Sequence, residues 1–305
     1  LKIENSSVLT LADLATWSFD GTALAVLGHP IKHSVSPAMH NAALAELAKS
    51  DPRFRSWQYF RFDVPPEDLP RALPLFHARG FRGLNLTVPH KIIAFAEVRE
   101  IDPAAKLIGA VNTLRRTDEG WFGANTDGYG LSEGLRENLG VQLRGAPVVL
   151  LGAGGAARGA AVECLRQRCA ALWIGNRTVE KLPALVAELE QEANGVPIRT
   201  FEPGQPPKDL AQGSIVINAT SAGLRASDTA PIDLGAIPRP AGVYDMIYNP
   251  PLTPLLREAQ KCGLPFANGL SMLVHQGAKS LLLWTERHSV PVATMRQAAE
   301  QALGL

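Results

Sequence analysis

Cysteine is scarce. The 305-residue chain contains 3, Cys164, Cys169 and Cys262, with no CxxC pair and no metal-ligand spacing. That excludes a disulfide-stapled scaffold and a cysteine-built metal site. Free thiols, buried as small apolar residues in a reducing cytoplasm, are expected instead. Charge of one sign is lacking too: 30 Lys and Arg stand against 29 Asp and Glu, for a formal net charge of +1. Nothing therefore attracts the chain to nucleic acid or to an anionic membrane. No apolar run reaches the ~18 residues of a membrane span. The first residues show no charged segment followed by an apolar one, so no secretory signal is expected. There is no repeat of fixed period and no low-complexity tract. What the chain does have is length for two domains and 46% hydrophobic residues with which to fill two cores.

Strand-like and helix-like segments alternate. "TALAVLGHP" (22–30) reads as a buried strand and a loop. "SPAMHNAALAELAKS" (36–50) reads as a helix with Ser36 as N-cap and Pro37 at the first helical position. Strands follow at 56–64 and 81–88, with a helix over 66–80 between them. The stretch 109–128 reads as a hairpin turning near Asp118–Gly120. A second unit begins near Gly128 with a helix over 129–140. It continues as strand, glycine-rich turn and helix over 146–167, a strand over 171–178, a helix over 179–193, and strands over 213–224 and 241–250. That β–α–β order predicts a doubly wound parallel sheet. Two helices fill roughly 270–305 and, having no strand between them, are expected to pack elsewhere.

"GAGGAA" (152–157) fits the dinucleotide pattern G-x-G-x-x-A and lies between an apolar strand and a helix, as that fingerprint requires. Gly152 permits the tight turn, Gly154 lets backbone approach a pyrophosphate, and Ala157 lets the helix lie close to the sheet. The phosphates would rest on unpaired N–H groups of the helix N-terminus. An NAD site usually offers a carboxylate about twenty residues on. Here the second strand ends in "GNRT" (175–178), with Lys181 beyond it. A guanidinium binds a 2′-phosphate that a carboxylate would repel, so NADP is expected over NAD.

Small polar residues gather near strand ends in the first unit: Ser34 and Ser36, then Asn85 and Thr87, then Asn112, then Asp127. If those ends converge, hydroxyls and amides ring a pocket suited to a polyol. Lys91 is out of place there. Pro89 reads as the first residue of a helix, which puts a cation in the first turn, where the helix dipole disfavours it by a few tenths of a kcal/mol. On local sequence alone, Lys91 also reads as a solvated side chain and Asp127 as the cap of the helix beginning near Gly128.

Taken together, "GHPIKHSVSPAMHN" (28–41), "NLTVPHK" (85–91), "GAVNT" (109–113), "GANTDGYG" (123–130), "GAGGAA", "NRT", "YDMIYNPPLTPLL" (244–256) and "NGLSMLVHQ" (268–276) resemble, in order and spacing, the motifs of shikimate dehydrogenases. The resemblance runs from about residue 22 onward; residues 1–21 are outside it. It implies an α/β fold of two domains. An N-terminal substrate domain (1–127) is completed by C-terminal helices (269–305), and a Rossmann-like parallel-sheet NADP domain spans 128–268. It implies NADPH-dependent reduction of 3-dehydroshikimate to shikimate by a cytoplasmic monomer or homodimer without a metal. A catabolic quinate/shikimate dehydrogenase using NAD, or a non-catalytic metabolite-binding regulator, are the alternatives. Carried over, Ser34 and Ser36 hold the substrate carboxylate, Thr87, Asn112 and Gln276 bind ring hydroxyls, and Tyr248 lies near the substrate. Lys91 and Asp127 are the catalytic pair and also touch substrate. Gly152, Ala153, Gly154, Gly155, Ala156, Asn176, Arg177, Thr178, Lys181, Met246 and Gly269 contact the cofactor. The nicotinamide would have to reach the substrate, so domain closure is expected. The chemistry fits: a hydride arriving at a ketone leaves an alkoxide, which a lysine ammonium can stabilise and protonate.

Overall fold

The computed structural model describes residues 7–87 and 89–305. Val88, expected to end the third strand, and residues 1–6 lie outside the described residues. The chain divides into two compact units: residues up to Thr126 together with Gln276–Leu305, and Asp127–His275. Asp127 therefore opens the second unit, and the first part of the helix holding Gln276 counts with it.

The first unit contains strands β1 (Thr22–Gly28), β2 (Trp57–Asp63), β3 (Gly83–Leu86), β4 (Glu100–Ile101), β5 (Thr113–Thr117) and β6 (Gly120–Ala124). Its helices are α1 (Leu11–Ala15), α2 (Ser36–Ser50), α3 (Leu69–Ala78), α4 (His90–Glu97) and α5 (Pro103–Ile108). The sheet runs β2-β1-β3-β5-β6-β4. β1 is parallel to both β2 and β3, and β5 is antiparallel to β3 and β6. β1 has six consecutive buried residues after Thr22, as a central strand covered on both faces must.

Residues 7–21 are packed, not peripheral. Leu9 exchanges two backbone hydrogen bonds with β2, its N–H donating to the Arg61 carbonyl at 2.9 Å and its carbonyl accepting from Asp63 N–H at 2.7 Å. Trp17 enters a cluster of rings with Phe60, Phe62 and Phe81 at centroid distances of 4.8, 5.6 and 5.1 Å. Leu9 therefore pairs with part of the open edge of β2, which would otherwise present unpaired backbone.

The second unit contains β7 (Pro147–Leu151), β8 (Ala171–Gly175), β9 (Ile198–Phe201), β10 (Ile215–Asn218), β11 (Gly242–Asp245) and β12 (Phe266–Asn268). Its helices are α6 (Asp127–Leu139), α7 (Gly155–Arg166), α8 (Leu182–Glu190) and α9 (Pro254–Lys261). All strands are parallel, in the order β12-β11-β10-β7-β8-β9. That is the doubly wound dinucleotide order, with the switch point between β7 and β10. α10 (Leu270–Thr285) runs from the second unit into the first, where α11 (Val292–Leu303) packs on α2.

The structure corrects several local expectations. Ser36 is the first residue of α2, not its N-cap; Val35 takes that place, and Ser34 Oγ accepts from Ser36 N–H at 3.3 Å. Pro89 is the cap residue of α4, so Lys91 is its second helical residue. The helix expected over 179–193 begins as a 3-10 turn, Val179–Lys181, before α8. Cys164 and Cys169 are buried, but Cys262 is exposed. Burial pushes the Cys169 thiol up to about 11, so at neutral pH it stays a protonated, apolar group.

Candidate functional site

In the first unit a buried amide–hydroxyl network joins β2, β3, β5 and α10. Asn85 sits at its centre, a polar residue in an otherwise apolar strand. Its Oδ1 accepts from Tyr59 Oη at 2.8 Å. Its Nδ2 donates to the Asn112 carbonyl (3.1 Å), Thr113 Oγ1 (3.1 Å) and Ser280 Oγ (3.0 Å). Asn112 Oδ1 accepts from Thr126 N–H and Thr113 Oγ1, both at 2.9 Å, and its Nδ2 donates to Thr126 Oγ1 at 3.0 Å and Gln276 Oε1 at 3.4 Å. Ser36 hydrogen-bonds the Tyr59 hydroxyl, whose phenol burial pushes well up. Three predicted residues, Ser36, Asn112 and Gln276, thus belong to one connected network.

Ser34 lies two residues before α2 in a loop that Arg61 holds, donating to the Ser34 carbonyl at 2.9 Å. Thr87 follows β3, and its N–H donates to the Leu27 carbonyl at 3.1 Å. Lys91 is tied at its backbone to the residue before Asn112, since Val111 N–H donates to the Lys91 carbonyl at 3.0 Å. Its neighbour His90 turns inward: it is buried, and its Nε2 contacts the Val64 carbonyl at 2.8 Å. His90 thereby anchors α4 while Lys91 stays partly exposed. Asp127 is the first residue of α6 and is also partly exposed.

In the second unit the predicted cofactor residues gather at the C-terminal ends of the parallel strands. Gly152 N–H donates to the Gly175 carbonyl at 2.8 Å, which joins the turn after β7 to the end of β8. Asn176 follows, its Nδ2 closing a tight turn on the Thr178 carbonyl at 2.7 Å. Arg177, Thr178 and Lys181 are exposed beyond it. Gly154 is the N-cap of α7, and Gly155 its first residue.

These glycines test the fit to a dinucleotide. A Cβ built on Gly154 or Gly155 has no protein atom within 4 Å, and neither residue has a positive φ. Nothing inside the protein demands glycine there; the free space lies over the N–H groups of a 12-residue helix, where a pyrophosphate would rest. Ala153 and Ala156 flank this space, Ala156 exposed and Ala153 half-buried. With no carboxylate in "GNRT", the residues present fit NADP.

Met246 and Tyr248 lie on the loop after β11. Met246 N–H donates to the Asn218 carbonyl at 3.0 Å. A Cβ on Gly269 would sit 2.1 Å from the Met246 carbonyl oxygen, so Gly269 is required by close backbone approach. The buried Asp245 holds this loop. It accepts from Asn218 Nδ2 (3.0 Å), Ile247 N–H (3.0 Å) and Thr253 Oγ1 (2.6 Å), while burial pushes its carboxyl up. Burial also raises the Tyr248 phenol. Asp245, Asn218, Tyr59, Thr126 and Ser280 were not singled out from sequence. The available signal was a polar residue ending an apolar strand, as in "SIVIN" and "VYD".

Among the described residues no group of His, Cys, Asp or Glu is placed to hold a metal, and no helix is long and apolar enough to cross a membrane.

Family profiles match three stretches: the shikimate dehydrogenase substrate binding domain at 26–114, shikimate/quinate 5-dehydrogenase at 134–229, and the shikimate 5′-dehydrogenase C-terminal domain at 269–300. A shikimate dehydrogenase (NADP(+)) from Symbiobacterium thermophilum is 40% identical over 287 residues, covering 93% of this chain and 95% of its own. The structure of Thermus thermophilus shikimate 5-dehydrogenase in complex with NADP(H) and shikimate has a TM-score of 0.80 at 36% identity, covering 92% of this chain and 99% of that one. The ligand-free 5-ketofructose reductase of a Gluconobacter species has a TM-score of 0.82 at 30% identity, covering 93% and 99%.

Proposed function

Because this chain belongs to the shikimate dehydrogenase family, we propose that it reduces 3-dehydroshikimate to shikimate with NADPH, reversibly, in the pathway to the aromatic amino acids. The observation that carries this reading is that the likeness spans both units while each keeps its own equipment. The first holds the amide–hydroxyl network, and the second the open-faced glycine turn followed by a strand end without a carboxylate.

When bound, NADPH supplies the hydride. In our reading Gly152–Ala156 take the pyrophosphate, and Asn176, Arg177, Thr178 and Lys181 take the adenosine end. Arg177 and Lys181 offer cations to a 2′-phosphate. Met246 and Gly269 flank the nicotinamide end. Ser34 and Ser36 bind the substrate carboxylate, and Thr87, Asn112 and Gln276 read the ring hydroxyls, with Tyr248 beside the substrate. Lys91 donates its proton to the oxygen that becomes alkoxide, and Asp127 orients the amine. This explains a lysine in the first turn of a helix, where the backbone gives it no local advantage. We propose a cytoplasmic location, which the sparse, unpaired cysteines support, and a monomer or homodimer, which light scattering would decide.

Lys91→Ala is expected to lower kcat by at least about a hundredfold, as loss of positioned acid–base catalysis does, with shikimate affinity changed little. Turnover near that of the unmodified enzyme would refute the role. The likeness to 5-ketofructose reductase favours a second reading, reduction of another hydroxylated ketone. Nicotinamide absorbance with shikimate, quinate and 5-ketofructose, each with both NADP and NAD forms, separates the readings. Shikimate with NADP+ should be fastest; faster turnover of 5-ketofructose would establish the second reading.

A further inference from the structure

α7 carries one acidic residue on an otherwise small and apolar buried face. Glu163 is 6% exposed among Ala160, Ala161, Val162, Cys164 and Leu165. A carboxylate so placed is costly unless it is hydrogen-bonded. Its Oε1 accepts from Ser132 Oγ and Gln167 Nε2, both at 2.9 Å, and Oε2 lies 3.5 Å from Arg166. Ser132 is on α6, so the carboxylate ties one helix to the other. A Cβ on Gly128 would stand 2.8 Å from Oε2. Glu163 thus presses on the first turn of α6 at the residue next to Asp127. The positive end of that helix favours a carboxylate. From the other side, a Cβ on Gly134 would stand 2.5 Å from Tyr244 Oη, so the helix has no slack there.

We propose that Glu163 is a positioning residue: through Ser132 and Gly128 it fixes the start of α6, and so Asp127, against the helix that opens at the dinucleotide turn. This rests on the reading of Asp127 as one of the acid–base pair. Displacement of a catalytic group by about 1 Å costs up to about a hundredfold in rate, so the expected effect is kinetic.

The test is a double-mutant cycle on the full chain. Glu163→Leu is expected to lower kcat about tenfold, and by less than about twofold in an Asp127→Asn background, because coupled residues are not additive. NADP+ affinity, measured by fluorescence without substrate, stays within about twofold, since the turn of α7 is untouched. Glu163→Gln, which keeps an acceptor for Ser132 and Gln167, retains kcat within about threefold. Equal losses in both backgrounds, a parallel loss of NADP+ affinity, or a Gln variant as slow as the Leu variant would each overturn the proposal. If Glu163→Leu does not fold, Ser132→Ala carries the same cycle, with kcat down about threefold alone and unchanged beside Asp127→Asn. Full activity of Asp127→Asn by itself would instead overturn the reading of Asp127.

Discussion

Gly152 and Gly154 are two residues apart and are glycine for different reasons. Gly152 has a φ of +120° and its Cβ would meet the Ala219 carbonyl at 3.1 Å, so the fold requires it. Gly154 has neither constraint, and only a ligand would fill the space beside it. Gly154→Val should therefore lower the melting temperature by only a few degrees, about what a lost cap costs, while weakening NADP+ binding at least about tenfold. Calorimetry and a binding titration check the two halves of that statement. His40 offers a prediction of another kind. It is fully buried, stacked on Tyr59 at 4.2 Å, with neither ring nitrogen hydrogen-bonded, and burial pushes its pKa down to about 3. The unfolded chain binds the proton near 6.5, so the contribution of neutral His40 is whole above that pH. It is lost at about 1.4 kcal/mol per pH unit as pH falls from 6.5 toward 3. Denaturant melts at pH 7 and pH 5 should show this slope, and His40→Phe should remove it.

At the scale of elements, residues 7–21 behave as part of the first sheet. Leu9 pairs with β2 and Trp17 is 8% exposed among aromatic rings. Trp17→Ala should cost about 3–5 kcal/mol, the range for a large buried aromatic, and urea denaturation would report it. The family resemblance left this stretch unassigned, because the contacts of Leu9 and Trp17 are made to residues far along the chain, Phe60 to Phe81. The long elements were legible: β1, β7, β8, α2 and α7 show their period and their punctuation in the sequence. Three short ones were not. β4, β9 and β12 have two to four residues each and, unlike the four-residue β3, β10 and β11, no continuous buried run, and they exist because neighbouring strands pair with them. Site residues divided in the same way. Glycine turns and the lysine announce themselves locally, whereas Asn85 and Asp245 acquire meaning only from partners on other elements. Asn85→Leu, which removes the partner that Tyr59, Thr113 and Ser280 share, should destabilise the first unit by about 3 kcal/mol.

The whole molecule uses one parallel-sheet idea twice, once in a mixed sheet that includes an antiparallel hairpin and once in an unbroken parallel sheet. Only the second unit is continuous in sequence. The first depends on a returning segment: α11 packs on α2, and Met295 and Ala299 are wholly buried. Removing residues 286–305 should therefore lower the melting temperature by ten degrees or more, on the order of a lost core helix, while NADP+ affinity changes less than about threefold. A scan with and without NADP+ distinguishes these effects. The same discontinuity sets an order of events at the ribosome. The segment up to Thr126 emerges first yet lacks its closing helices until Leu305 is made, whereas Asp127–His275 has every strand it needs before then. The later-born half is thus the first able to finish, and the earlier-born half must wait, with apolar surface uncovered, for the segment Gln276–Leu305.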